Sequence, residues 1–218
     1  MFCLFAGVAK AVCEKQLKMS SSAIREKRKK IVICVCGLAG SGKSTLAKRL
    51  AEKYGLRYFS GGTALKALAF EAGYKPADRG WWESEEGLRF LGLRGRDLSF
   101  DRRIDEKLIE MAKLGDVVLD SWTMPWLLKE SGFKVWLECG EKVRAERLAK
   151  RDGISFQEAL KALRVKEERT KRIYKRLYGF DLGGDFSPFD LILDVSGLSS
   201  DDTLQAVSLV VENLLLKE

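Results

Sequence analysis

Eight consecutive residues, 37–44, have the types and spacing that bind a triphosphate. They are Gly37, Leu38, Ala39, Gly40, Ser41, Gly42, Lys43 and Ser44, and Thr45 follows them. The glycines allow backbone N–H groups to close around phosphate oxygens. The lysine can then reach the β- and γ-phosphates, and the hydroxyl group that follows it can bind Mg²⁺. We therefore expect a site for ATP and Mg²⁺ at this stretch.

Asp120 is a second candidate, because it ends a short apolar run at residues 116–120. In folds that bind nucleoside triphosphates, a carboxylate at this position holds the water shell of Mg²⁺. The competing interpretation is an N-cap for the helix that follows. Ser60 and Gly61 open a helix after another short strand, at the edge of the sheet where α/β proteins bind ligands. Ordinary turn chemistry explains these two residues as well.

Aromatic and basic residues between positions 81 and 103 supply further candidates. Trp81 and Trp82 are adjacent in a helical stretch, so their side chains point in different directions. We expect one in the core, and the other could stack on a base. A basic group follows at Arg94, Arg96, Arg102 and Arg103. It could bind the phosphate of an acceptor, and a solvated surface explains it equally well.

Residues 155–178 have a helical pattern whose middle, residues 164–172, is almost entirely charged. A helix that is polar all round either faces solvent or meets a charged ligand. In a kinase this pattern describes a mobile lid whose arginines neutralise the transferring phosphoryl group. Taken alone, the segment fits a solvated helix. Arg147 and Arg151 precede it and lie four residues apart on one helix face.

Strands and helices alternate along the chain. Apolar runs predict strands at residues 31–36, 56–59, 116–120, 133–138 and 189–194. Helical spacing predicts helices that include residues 45–54, 64–72, 141–150, 155–178 and 201–218. This alternation predicts a three-layer α/β domain with a parallel sheet and right-handed crossovers.

The composition is that of an ordinary globular protein of 218 residues, which suits one domain. Its net charge of +8 is misleading, because residues 1–30 hold eight Lys/Arg and two Glu, which leaves +2 for the remainder. The charge therefore gives little support to nucleic-acid binding. Five cysteines without any histidine favour a reduced, cytoplasmic protein rather than a metal site. We expect no membrane partner, and a monomer.

Residues 1–30 are expected to be a basic, flexible extension, separate from a domain at residues 31–218. Residues 2–9 are apolar, but they are too short to span a membrane and lack the preceding basic region of a secretory signal. Met19 is an alternative start. A targeting arm or an arm that touches nucleic acid is the competing interpretation.

Several motifs occur in an order that is typical of one enzyme family. They lie at residues 37–44, 60–63, 101–107, 117–120, 143–151, 155–160 and 174–181. In this order they resemble the cytidylate kinases, especially the short archaeal type, within the P-loop nucleoside monophosphate kinases. The resemblance covers about residues 31–200. It implies a five-stranded parallel sheet, an acceptor-binding region near residues 60–100 and a lid near residues 152–180. It also implies ATP- and Mg²⁺-dependent phosphorylation of CMP and dCMP.

The resemblance implies a role for each matching residue. Lys43 and Ser44 match the residues that hold phosphate and Mg²⁺, and Asp120 assists the metal. Arg147 and Arg151 match a pair that lies along ATP. The nearest matches to the catalytic arginines of the lid are Arg169 and Arg172. The residues that we expect to contact the acceptor are Ser60, Gly61, Arg94, Arg103 and Trp122.

Two positions depart from the family pattern. Lys166 stands where the lid cluster usually begins with arginine, and lysine cannot make a two-pronged contact. After Asp120, this chain has Ser121 and Trp122 where the family has glycine and arginine, which removes a charged contact worth roughly 1.5–3 kcal/mol. The arginines that could replace it are Arg94, Arg96 and Arg103. The alternatives are a P-loop kinase for another nucleoside monophosphate or a small alcohol, and a weakened nucleotide-binding protein that regulates a partner.

Overall fold

The structure is a computed structural model that describes residues 30–77, 79–129 and 132–215. The expectations for residues 1–29 therefore lie outside the described residues. Within the described ranges, five parallel strands form one sheet in the order β2-β3-β1-β4-β5. The strands are β1 Val32–Gly37, β2 Arg57–Ser60, β3 Val117–Asp120, β4 Phe133–Glu138 and β5 Leu191–Asp194. The expected parallel sheet is confirmed.

Helices connect the strands and cover the sheet. They are α1 Lys43–Tyr54, α2 Gly61–Glu71, α3 Glu85–Arg96, α4 Ser99–Leu114, α5 Met124–Leu127, α6 Glu141–Asp152, α7 Phe156–Tyr178 and α8 Ser200–Leu214, with a 3₁₀ turn at Trp81–Glu83. Helix α2 begins three residues earlier than expected, because the Ser60 hydroxyl accepts a hydrogen bond from the Thr63 N–H and caps it.

The three central strands, β1, β3 and β4, are buried on both faces of the sheet, whereas the edge strands β2 and β5 are partly exposed. Alternate residues of β1 point to opposite sides. On one side Val35 packs with residues of α1 and α8, and on the other Cys34 packs with residues of α2 and α4. The result is the expected three-layer α/β domain. Cys34 and Cys36 are buried free thiols, as their spacing on one strand predicts.

Strand register brings the candidate residues to one edge of the sheet. Asp120 lies beside Val35 of β1 and beside Ser60 of β2. Gly37, which opens the glycine run, ends β1 next to Leu137. The carboxyl ends of parallel strands are where α/β proteins bind ligands, so this edge is the place for a site.

Helix α7 is one continuous helix, and its charged middle is not fully solvated. Glu167 and Thr170 are buried, while Glu168 and Arg172 are exposed. One face of this charged segment therefore packs against the remainder of the domain, while the other face is exposed to solvent. Among the described residues, no helix combines the length and the apolar character that a membrane span needs.

Candidate active site

The glycine run forms a tight loop between β1 and α1. Gly40 has φ +80°, and a Cβ atom there would lie 2.7 Å from the carbonyl oxygen of Arg144. Gly42 precedes α1 with φ +96°. Both positions favour glycine because L side chains rarely adopt this backbone conformation. The loop therefore leads directly into the free N–H groups at the start of α1, which suit an anion.

Two arginines of α6 support the loop from behind. The Arg144 guanidinium donates to the carbonyl oxygens of Ala39 at 3.0 Å and Cys139 at 2.9 Å, and it forms a buried ion pair with Glu167. Arg147 donates to the carbonyl oxygen of Ser41 at 3.3 Å. The sequence predicts that Arg147 lies along ATP, and in this structure its guanidinium is bonded to the backbone of the loop.

Trp122 also contacts the loop. Its indole N–H donates to the Gly37 carbonyl oxygen at 2.6 Å, and the Lys43 Nζ lies 5.4 Å from the centre of its ring. A cation at this distance over an indole face is attracted by it. Trp122, which the sequence predicts to contact the acceptor, thus touches the phosphate-binding loop and its lysine.

One cavity joins the loop to the acceptor side of the sheet edge. The sequence-predicted residues that line it are Ala39, Gly40, Lys43, Ser44, Ser60, Gly61, Arg94, Asp120, Trp122 and Arg151. They come from the loop, from the ends of β2 and β3, and from α3 and α6. Trp82 also lines the cavity, while Trp81 is buried against Phe90 and Ala69. One tryptophan is therefore in the core and the other at the cavity, but their rings remain in edge-to-face contact with centroids 4.9 Å apart.

Besides Arg147, three predicted arginines lie outside the cavity, in contacts of their own. Arg103 faces Glu71 at 3.5 Å, with a side chain that is 58% exposed. Arg169 donates to the Leu88 carbonyl oxygen at 3.0 Å, and Arg172 pairs with Glu168 one helical turn away. None of the three lines the cavity described above. Within the glycine run, the residues away from the cavity are Gly37, Leu38, Ser41 and Gly42, together with Thr45.

Arg94 is buried and already has a partner. Its Nε and Nη2 atoms donate to the two oxygens of Asp101 at 3.1 and 2.6 Å. Burial alone would lower the pKa of Arg94, but Asp101 and Tyr174 raise it above its usual range. The guanidinium thus reaches the cavity as part of a neutral pair and not as a free cation.

Asp105 lies one turn further along α4 and also lines the cavity. Its carboxylate accepts hydrogen bonds from the hydroxyls of Thr123 at 2.5 Å and Tyr178 at 2.7 Å. Burial raises the pKa of Asp105 from 3.8 to about 6, although the two hydroxyls oppose that rise. The site therefore contains a carboxyl group that titrates close to neutral pH.

The residues expected at the magnesium site have suitable donor atoms. Asp120 is buried at the end of β3, and one of its oxygens accepts from the Tyr58 hydroxyl at 3.1 Å. Ser44 and Asp120 line the same cavity. Carboxylate and hydroxyl oxygens are the hard donors that Mg²⁺ prefers. The residues present therefore fit this ion.

Sequence reasoning missed the pair formed by Glu83 and Lys166, which both line the cavity. The sequence distinguishes Lys166 only as a lysine where the resemblance implies arginine, and it does not indicate Glu83 at all. No local pattern can link the two residues, because 83 positions separate them. Thr170 was also missed. Its buried hydroxyl lines the cavity and has no hydrogen-bond partner within the described residues. Such an atom suits a ligand that completes its bonding.

A parallel sheet of this order, a glycine loop that opens a helix, and a cavity at the same edge that is lined by Lys43, Ser44 and Asp120 define a P-loop kinase. Solved structures agree on the fold. A protein from Eubacterium ventriosum matches with a TM-score of 0.56 and 16% identity, covering 85% of this chain and 99% of that one. A shikimate kinase from Bacteroides thetaiotaomicron matches with a TM-score of 0.53 and 17% identity, covering 84% and 99%.

Sequence comparison identifies the family. The profile of the cytidylate kinase-like family matches residues 32–197. The cytidylate kinase of Pyrococcus horikoshii is 37% identical over 85% of this chain and 90% of that protein. The cytidylate kinase of Methanocaldococcus jannaschii is 33% identical over 84% of this chain and 99% of that protein. The chain belongs to the cytidylate kinase-like family, and the expected resemblance is confirmed.

Proposed function

We propose that this protein transfers the γ-phosphoryl group of ATP to CMP or dCMP, giving CDP or dCDP. One observation carries the proposal. A single cavity joins the phosphate-binding residues Lys43 and Ser44 to the buried polar residues Arg94 and Asp105. A kinase of this class must hold donor and acceptor in one water-poor space, because transfer depends on positioning and on charge neutralisation.

The donor phosphates would lie on the glycine loop. Lys43 would neutralise charge on the β- and γ-phosphates, and Ser44 and Asp120 would hold Mg²⁺. When bound, Mg²⁺ withdraws charge from the phosphate oxygens. Trp122 keeps Lys43 close to the loop, since its ring lies 5.4 Å from the Nζ atom. The side chains needed for this role are therefore close to where they would act.

The acceptor would occupy the other part of the cavity. Lys166 and Arg151 are cations that can meet its phosphate, in place of the arginine that Trp122 replaces. The indole ring of Trp82 offers a surface for the base. Asp105 and the pair of Arg94 with Asp101 offer buried polar atoms, and such atoms discriminate strongly between bases that do and do not satisfy them.

We also propose that residues 60–100 form the acceptor-binding region and residues 152–180 the lid. Support for the lid comes from α7, which holds Lys166 and Thr170 against the cavity and carries Arg169 and Arg172 on its accessible side. Closure over a nucleotide would bring the last two nearer to the phosphates. In the described structure, their guanidinium groups are bonded to Leu88 and Glu168.

The other functions considered have less support. The relatives quoted above are themselves named cytidylate kinase. The shikimate kinase likeness, at 17% identity, concerns the fold alone. The buried free thiols Cys34, Cys36 and Cys139 favour a cytoplasmic location. We propose small-molecule nucleotides as the partners, with neither nucleic acid nor membrane, and a monomer as the active form.

The test is ATP-dependent CDP formation by the purified protein and by two lysine variants of α1. Lys43→Ala should remove nearly all transfer, by at least about 10³-fold, because a cation of the transition state is lost. Lys53→Ala is the matched control, since Lys53 lies on the same helix and pairs with Glu212 on the surface. Its activity should stay within twofold. Activity of Lys43→Ala within tenfold of the unaltered protein would overturn the mechanism.

A further inference from the structure

Glu83 bonds two cations that come from two different helices. Its Oε1 atom accepts from the Lys166 Nζ of α7 at 2.9 Å, and its Oε2 atom accepts from Arg151 Nη2 of α6 at 3.1 Å. The Glu83 side chain is only 2% exposed, and that of Lys166 is 14% exposed. All three residues line the active-site cavity. A buried carboxylate therefore joins the 3₁₀ turn to the proposed lid.

Two cations and one carboxylate act directly on Lys166. Lys43 of α1 and Arg151 of α6 act on it as like charges, and Glu83 is the opposite charge. The ring of Trp82 covers its ammonium at 5.5 Å from the centroid.

Two further carboxylates lie nearby on α6 and α7, but both have other partners. Glu167, the next residue along α7, is paired with Arg144. Asp152 is bonded to Arg151 at 2.7 Å. Glu83 is thus the carboxylate that directly balances Lys166 in the described part of the chain.

The charge state of Lys166 depends on this balance. Burial lowers the pKa of Lys166 below its ordinary value of 10.5, and Glu83 opposes that effect. Burial would likewise raise the pKa of Glu83, but Lys166 and Arg151 hold it below its usual value. Each member therefore keeps its partner ionised. Arginine at position 166 would not need this help, because a guanidinium stays charged at any accessible pH.

We propose that Glu83 is a positioning residue that holds Lys166 and Arg151 at the cavity and keeps Lys166 protonated for contact with a nucleotide phosphate. The part of this inference that concerns phosphate contact rests on the proposed function. The part that concerns the charge of Lys166 is a property of the protein without nucleotide, so the two can be tested separately.

The first experiment measures the pKa of Lys166 by NMR in protein carrying ¹³C- and ¹⁵N-labelled lysine, without nucleotide. The Lys166 signal is assigned by its loss in Lys166→Arg. Glu83→Gln should lower this pKa by about one unit or more, since an adjacent opposite charge contributes about 1–3 units. Glu83→Asp should keep the Lys166 pKa close to that of the unaltered protein.

The matched control is Glu141→Gln. It removes an ion pair between the same two helices, with Arg164, but this pair lies on the surface. It should leave the Lys166 pKa unchanged. Thermal unfolding of each variant establishes that it is folded at the temperature of the titration. A Lys166 pKa in folded Glu83→Gln equal to that of the unaltered protein would overturn the proposal.

The second experiment measures kcat and KM against pH with CMP and ATP. In Glu83→Gln, the alkaline loss of activity should move to lower pH by about one unit or more, in step with the Lys166 pKa. The double variant Glu83→Gln with Lys166→Arg should not show that movement. If Glu83 instead competes with phosphate, Glu83→Gln will lower KM without lowering kcat, which contradicts the proposal. Absence of any CMP turnover would count against the proposed function, while the NMR result would still decide the charge of Lys166.

Discussion

The donor side and the acceptor side of the cavity are built in different ways. The donor side is mostly backbone, supplied by the eight-residue run at 37–44 and by the start of α1. The acceptor side is made of paired side chains from distant segments, such as Arg94 with Asp101 and Glu83 with Lys166. Backbone donors fit any triphosphate, whereas buried polar side chains discriminate between ligands that do and do not satisfy them. The comparison teaches that a contiguous loop provides the general phosphate site, while selectivity for an acceptor depends on side chains that the fold brings together.

Arg144→Met should have the largest effect on this comparison, because the donor loop is supported by the Arg144 side chain, which is distant in sequence. Arg144→Met removes the donor to the Ala39 carbonyl oxygen and leaves the buried Glu167 carboxylate without its partner. We expect the free energy of unfolding to fall by about 3–5 kcal/mol, as for other broken buried ion pairs. The measurement is urea denaturation at neutral pH.

The control for this prediction is Arg164→Met, which breaks the exposed pair with Glu141 between the same helices. Exposed pairs contribute about 0–1 kcal/mol, so this variant should unfold almost as the unaltered protein does. Equal losses in the two variants would mean that burial of the Arg144 pair does not matter. The donor loop would then be self-supporting.

Asp105→Asn tests the acceptor side, where we expect a gain of stability. The folded pKa of Asp105, about 6, lies above its ordinary value of 3.8. The folded state therefore binds a proton more readily, and this group costs stability increasingly as pH rises from about 4 to above 6. Asparagine avoids that cost, so the variant should be more stable by about 2 kcal/mol at pH 7.5, with the gain absent at pH 4. Denaturation at both pH values measures it.

The neighbouring Asp101 provides the control, with the opposite sign. Asp101→Asn leaves the buried Arg94 guanidinium without a charged partner, so it should lower stability at pH 7.5. A loss of stability in Asp105→Asn of similar size would show that both carboxylates are structural counterions. In that case the ionised Asp105 carboxylate would not destabilise the folded state.

Much of the donor side could be predicted from sequence, because its residues are contiguous. The run at 37–44 lies between a strand and a helix, and each of these can be predicted from its own residues. The structure contains the strand, the glycine loop and the helix in that order. Five strands were also predicted to within a few residues, since buried parallel strands are continuous apolar runs. Asp120 and Ser60 reached the same edge because strand ends in a parallel sheet converge there.

The acceptor side could be predicted only in part. Four arginines between positions 94 and 103 looked equivalent, and only Arg94 lines the cavity. Which arginine turns inward depends on how α3 and α4 pack on α7, and spacing along one helix does not contain that information. Glu83 and Lys166 meet across 83 residues. Such a pair has no local pattern, because its members are brought together by the fold alone.

Trp122→Phe tests the difference between the donor and acceptor sides, with a smaller expected effect. The sequence predicts Trp122 as an acceptor residue, yet its N–H donates to Gly37 of the donor loop. Phenylalanine keeps a ring near Lys43 and loses this bond, which is worth about 1 kcal/mol. We therefore expect ATP to bind about fivefold more weakly, with KM for CMP changed less than twofold. Calorimetric titration with ATP, together with steady-state kinetics, measures both. A change confined to CMP would show that Trp122 is an acceptor ligand.

Arg103→Ala should have the smallest effect. The Arg103 side chain is largely exposed, and its distance of 3.5 Å from Glu71 marks a weak surface pair. We expect KM for CMP and kcat to remain within twofold of the unaltered protein. An increase in KM above tenfold would mean that Arg103 reaches the acceptor after lid closure. Arg103 would then contact the acceptor, as the sequence predicts.

The most direct measurement of the central claim is a competition assay with CMP, dCMP, UMP and AMP in one reaction containing ATP and Mg²⁺. The products are separated and each diphosphate is quantified over time, which gives the ratios of kcat/KM. We predict that CDP and dCDP form first and dominate. Faster formation of UDP or ADP from the added acceptors, or ATP binding without transfer to any of the four, would contradict the assignment of this cavity to cytidine monophosphates.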